Sequence, residues 1–124
     1  MSFRGLFVGI DRYQSALVRR LTCASQDATA LACLFGDTFG DGGVLLLDEK
    51  ATKENIVRQL EELTHCSEDD VVMLSFSDHG SPTHELVSYD ANPLKLKETC
   101  ISLEELSAGR RISRARAKSR RCAW

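Results

Sequence analysis

Short, unbroken apolar runs alternate with amphipathic stretches along this chain. Gly5-Leu6-Phe7-Val8-Gly9-Ile10 is continuous rather than alternating, as a strand covered on both faces of a parallel sheet is. A polar turn at Asp11-Arg12 follows it. Ser25 stands where an N-cap is expected, with Asp27 in the first turn, where the helix dipole favours a negative charge. Ala28, Leu31, Ala32 and Phe35 then recur at i, i+3, i+4 and i+7, which predicts an amphipathic helix ending near Gly36–Gly40. Val44-Leu45-Leu46-Leu47 is the second expected strand, after the Gly42-Gly43 pair.

Thr52 is the expected cap of a second helix, with Glu54 in its first turn and Ile56, Leu60 and Leu63 on its apolar face. Val71-Val72-Met73-Leu74-Ser75-Phe76 is the strongest strand candidate, and it runs into Ser77-Asp78-His79-Gly80. Glu85 to Tyr89 reads as a short accessory strand, and Ser102-Leu103-Glu104-Glu105-Leu106 as the capped start of a third helix. Strand–helix–strand–helix–strand order predicts an α/β fold, a mostly parallel sheet with helices on both faces.

Composition alters this picture only at the end of the chain. Over the whole 124 residues, 43% are hydrophobic and 27% charged, which is ordinary globular usage for one domain. The net charge of −2 hides an asymmetry. Residues 1–106 hold nine Lys/Arg against eighteen Asp/Glu, a net −9, whereas residues 107–124 hold seven Lys/Arg and no acid, a net +7. A buried strand is expected after the third helix, but Ile112 is the last large aliphatic residue, so this tail cannot supply a central strand. Its composition is that of an out-of-frame or foreign continuation, expected to be irregular. The competing reading, a basic arm for nucleic acid or an acidic membrane surface, lacks aromatic interleaving apart from Trp124.

No apolar run approaches the roughly 20 residues of a membrane span, and Met1-Ser2-Phe3-Arg4-Gly5 leads into a short apolar run without a signal-peptide cleavage site. A soluble, cytoplasmic protein is expected. Cys23, Cys33, Cys66, Cys100 and Cys122 are scattered, odd in number and without a CxxC pair, so free thiols in a reducing compartment are expected rather than disulfides or structural zinc. His65, His79 and His84 lack ligand spacing, and no metal or other cofactor is expected. No strand is followed by a GxGxxG or P-loop, which argues against a nucleotide-binding domain.

The candidate chemistry lies at His79. Open parallel sheets gather ligands outside the carboxyl ends of their strands, and His79 follows the best strand. A histidine there suits general acid or base work, and the adjacent Gly80 N–H is a candidate donor to a developing oxyanion. Taken alone, a single histidine in a turn after a strand is more often structural.

Five segments in order carry a resemblance. They are Leu6-Phe7-Val8-Gly9-Ile10-Asp11-Arg12-Tyr13, Leu21-Thr22-Cys23-Ala24-Ser25-Gln26-Asp27-Ala28, Ala51-Thr52-Lys53-Glu54-Asn55-Ile56, Asp70 to Gly80, and Ile101-Ser102-Leu103-Glu104-Glu105-Leu106. Together they resemble the N-terminal, histidine-bearing part of the caspase-like cysteine peptidases, the superfamily of caspases, metacaspases and paracaspases. The resemblance covers about residues 3–106. It implies a three-layer α/β/α sandwich, here incomplete, with residues 1–106 as the first part of the peptidase domain and 107–124 as an aberrant basic tail.

By the same resemblance, His79 matches the catalytic histidine and Gly80 the oxyanion-hole glycine. Asp27 and Ser77 match residues that, in the metacaspase branch, line the pocket for a basic P1 side chain. For Asp27 a plain first-turn helix charge stands as an equal alternative.

Two departures follow. Asp78 replaces the family's usual glycine, where a Cβ is expected to strain the turn and a charge to raise the pKa of a nearby histidine. The nucleophile, expected after the next strand in an Asp-x-Cys-x-Ser-Gly-like turn, is missing, since none of the five cysteines stands in such a context. Some metacaspases bind calcium, and Asp90 matches one of the acids, but Leu103 falls where another is expected, so no calcium site is claimed.

The expected function is thus a caspase-like endopeptidase domain, cutting after Arg or Lys, truncated before its nucleophile and inactive alone. Its expected partners are peptide substrates and a complementing fragment or full-length relative at the open sheet edge, with no membrane and no nucleic acid. The alternative is a non-catalytic pseudo-protease module that pairs with such a relative.

Overall fold

A computed structural model of the chain describes residues 3–40, 43–63, 65, 69–80, 85–102 and 118–119. The elements run β1 (Phe3–Gly9), α1 (Ala24–Phe39), β2 (Val44–Leu47), a 3-10 turn (Asp48–Lys50), α2 (Lys53–Leu63), β3 (Val71–Ser77), β4 (Glu85–Leu86), α3 (Leu96–Thr99), β5 (Ile101–Ser102) and β6 (Lys118–Ser119). The fold is α/β. The main sheet has the order β2-β1-β3-β6 and every pairing in it is parallel, while β4 and β5 form a small antiparallel pair.

The strand alternation divides two cores. Leu6, Val8 and Ile10 of the first strand region join Val72, Leu74 and Phe76 of β3 and the Ile56, Leu60 and Leu63 face of α2. Phe3 and Phe7 turn to the other face, where Ala28, Ala32, Leu31 and Phe35 of α1 meet Leu45, Leu47 and Met73. The sheet therefore lies between α1 and α2 as the middle of three layers. Phe3, Phe35 and Phe39 stack nearly parallel, with centroids 5.3 and 4.7 Å from Phe3, and pin the last turns of α1.

From β1 the chain goes through α1 to β2 on one side, then crosses back through α2 to β3 on the other. This reversal makes the carboxyl ends of β1 and β3 the topological switch point, the place where open α/β sheets leave a crevice. Gly9 allows α1 to start close above that point. A Cβ on it would fall 2.6 Å from the Ala24 carbonyl oxygen and 2.7 Å from the Ala28 Cβ.

Several details differ from the pattern-based expectations. The first helix begins at Ala24, with Cys23 in the N-cap position and no side-chain cap from it. Its first amides donate instead to Asp11, Ala24 N–H at 2.8 Å and Ser25 N–H at 3.2 Å, so the cap is a carboxylate thirteen residues upstream rather than Ser25. Thr52 does cap α2, accepting the Asn55 N–H at 3.2 Å. Ser102 lies in β5 and a short helix precedes it at Leu96–Thr99, because Ile101 and Ser102 pair with Leu86 and Glu85. Residues 103–106, expected to continue a helix, lie outside the described residues, as does most of the tail. Two tail residues, Lys118 and Ser119, pair with Ser75 and Phe76 as an edge rung, where irregular structure was expected throughout 107–124. Among the described residues, no helix is long and apolar enough to cross a membrane.

Candidate functional site

Three loops meet at the switch point. The segment after β1 is pinched shut by the Leu21 N–H donating to the Asp11 carbonyl at 2.9 Å, and Gln14 N–H ties it to the Tyr89 carbonyl at 3.0 Å. Asp48, the one described non-glycine residue at positive φ (46°), opens the turn after β2. Its Oδ1 accepts the Asp11 N–H at 2.9 Å and the Arg12 N–H at 3.1 Å, which accounts for that backbone being held there. The third loop follows β3 and carries Asp78, His79 and Gly80.

His79 is half-buried and oriented from two sides. Its Nε2 lies 2.6 Å from the Arg19 carbonyl oxygen. A carbonyl only accepts, so Nε2 carries a proton and, in the neutral ring, the lone pair is on Nδ1. The His79 N–H donates to the Tyr13 hydroxyl at 2.9 Å, and the two rings sit 5.4 Å apart at a 42° tilt. Val87 N–H donates to the His79 carbonyl at 3.0 Å, flanking the antiparallel bridge between Gly80 and Leu86. That makes Gly80–Leu86 a non-hydrogen-bonded pair, and the bridge does not consume the Gly80 N–H.

Ser77 is buried, on the sheet face that carries α1 by strand alternation, and it pairs with Gly9 directly beneath the first turn of that helix. Asp27 belongs to the same turn and is exposed. The fold thus brings Ser77, His79, Gly80 and the Asp27 turn to one end of the sheet. The Ser77 Oγ has no hydrogen-bond partner among the described residues.

Asp78 is 3% exposed, and its Oδ2 likewise has no partner among the described residues. Burial without compensation pushes its carboxyl well above the ordinary carboxylate range. The backbone strain expected there is absent, since Asp78 does not adopt a positive φ. Burial, with Asp78 as the next cause, raises the Tyr13 phenol far above its usual ionisation, so Tyr13 is a neutral hydroxyl.

The described cysteines stand apart in character. Cys23 and Cys33 are exposed, on or beside α1, while Cys100 is buried and its thiol is pushed up to about 11, by burial first and then by Glu85. Cys66 and Cys122 lie outside the described residues. Asp90, weighed above for calcium, accepts the Lys53 N–H at 2.9 Å and the Ser88 hydroxyl at 3.0 Å, a second remote cap, here on α2. Leu103 lies outside the described residues.

Sequence reasoning missed Tyr13 and Arg19 as partners of His79. Arg19 takes part through its backbone across 60 positions, and a carbonyl leaves no trace in side-chain patterning. Tyr13 was visible only as the end of the first matched segment.

No protein-family model matches the chain, and no curated protein matches it. Among solved structures, the fold is similar to that of the protein GSU0716 from Geobacter sulfurreducens, with a TM-score of 0.73 and 16% identity. The match takes in 98% of this chain and 48% of the other, so the chain spans about half the length of that structure. At that identity the likeness is one of fold alone.

Proposed function

We propose that this chain carries the histidine half of a caspase-like cysteine endopeptidase, with the nucleophile contributed by a complementing chain. The observation that carries this reading is His79, at the switch point beyond β3, with Nε2 on the Arg19 carbonyl and Nδ1 bearing the lone pair. In that role Nδ1 accepts the proton of an incoming thiol. The thiolate then attacks the scissile carbonyl, and the Gly80 N–H stabilises the oxyanion that forms. The imidazolium next returns its proton to the leaving amine. Asp27, exposed in the first turn of α1 above the buried Ser77, supports a preference for Arg or Lys at P1, since an exposed acid favours a cationic side chain.

The test is complementation. This chain, co-expressed with the C-terminal half of a caspase-like peptidase, is expected to hydrolyse arginyl and lysyl fluorogenic peptides, and His79→Ala is expected to abolish that activity. Complexes that form but stay inactive, or activity that survives His79→Ala, would count against the reading. The chain alone is expected to be inactive.

One observation favours a second reading, a non-catalytic pairing module. The outer edge of β3 is engaged only at Ser75 and Phe76 among the described residues, although β3 is paired along all seven residues on its β1 side. Such an edge accepts a further strand. Binding to a full-length relative that is indifferent to His79→Ala, with no gain of hydrolysis, distinguishes this reading from the first.

A further inference from the structure

We propose that Tyr13 is a positioning residue for His79, one that fixes the imidazole so that Nε2 stays on the Arg19 carbonyl; this rests on the reading of His79 as a general base. Two contacts act on one residue. The Tyr13 hydroxyl accepts the His79 N–H at 2.9 Å, which restrains the backbone from which the ring projects. The phenol ring, 5.4 Å from the imidazole and tilted by 42°, bounds the volume in which that ring turns.

Tyr13 is itself well anchored. Its side chain packs against both the α2-side core and the Val87, Ala91 and Cys100 cluster, bridging the sheet to the segment that holds β4 and α3. The next residue is tied across the loop by Gln14 N–H to Tyr89. Arg19 comes from the same closed loop, whose base is the bond from Leu21 N–H to the Asp11 carbonyl. One loop therefore supplies the wall, the hydroxyl that accepts the His79 backbone N–H, and the carbonyl that accepts the hydrogen bond from Nε2–H. Because the phenol stays neutral, its oxygen remains a hydroxyl acceptor at working pH and places no negative charge against the backbone.

A ring that only fills space predicts that Tyr13→Phe changes nothing at His79. Positioning through the hydroxyl predicts otherwise, and the 124-residue chain itself can decide it. With nitrogen-15-labelled histidine, parent His79 is expected as the Nε2–H tautomer. In Tyr13→Phe its amide exchange should accelerate about tenfold, the loss of one ordinary hydrogen bond. The Ile10 amide, which donates to the Ser77 carbonyl, should not change. Acylation of the imidazole by diethyl pyrocarbonate should rise at His79 and stay constant at the exposed His65.

Equal exchange and equal acylation in parent and Tyr13→Phe would overturn the proposal. So would an Nδ1–H tautomer in the parent, a reading that does not depend on the variant folding. Failure of complementation with these His79 signatures intact would remove the peptidase reading alone. Full complemented activity in Tyr13→Phe would remove the positioning role alone.

Discussion

A carboxyl at position 78 is poorly matched to its surroundings: it is 3% exposed, and Oδ2 lacks a partner among the described residues. Its folded-state pKa is raised above the unfolded value, so the folded chain holds the proton more tightly than the unfolded chain does. The stability this gives is fully present below about pH 4, the unfolded value, and is lost as pH rises toward the folded one, at a limiting slope of about 1.4 kcal/mol per pH unit. Asp78→Asn removes the titration while keeping the shape. Urea unfolding should therefore find parent and variant nearly equal at about pH 4, and the variant more stable by roughly 1–3 kcal/mol at about pH 8. A gap that stays constant with pH would mean that Asp78 titrates normally. His79 was legible in the sequence as a residue of interest because it follows the most apolar strand. The solvation of its neighbour was not legible, since burial is decided by loops distant in the chain.

The helices depend on carboxylates that do not belong to them. Asp11 takes both amides at the start of α1, and Asp90 takes the first amide of α2. Asp11→Ala is expected to cost about 0.5–2 kcal/mol, the range for losing a helix cap. Ser25→Ala should cost only a few tenths, because its hydroxyl makes just long contacts of 3.5 Å to Asp48. Thermal unfolding of the two variants checks the order, and a larger loss for Ser25→Ala would reverse the assignment of the cap. Helix and strand bodies were readable because apolar period follows directly from which face is buried, as at Ile56, Leu60 and Leu63. Caps supplied from across the fold carry no local signal. For the same reason Ser102 read as a helix start, although pairing with Glu85 draws it into a strand.

At the scale of the molecule, β1 is the strand everything else is built on. It is paired along its length by β3 and over its second half by β2, with α1 on one face and α2 on the other. Native-state amide exchange should find Phe7 and Val8 among the slowest amides and the two-residue β4–β5 ladder among the fast ones. Uniform protection across both sheets would argue for a single cooperative unit instead. The strand–helix order and the place of His79 beyond the carboxyl end of β3 followed from the sequence, whereas the switch point needed the strand order β2-β1-β3. The β6 rung did not follow either, because nothing apolar in 107–124 marks a strand and its partner edge lies on β3.

The all-parallel pairing of the main sheet also bears on how the chain reaches its fold. No strand in that sheet pairs through a tight hairpin. Phe3 must find Val71, and Ser75 must find Lys118, before either contact repays the entropy of closing so long a loop. Folding should be slow for a chain of this length, and the apolar β3 should remain exposed until β1 docks. Chaperone dependence during synthesis is the expected biological signature of that topology.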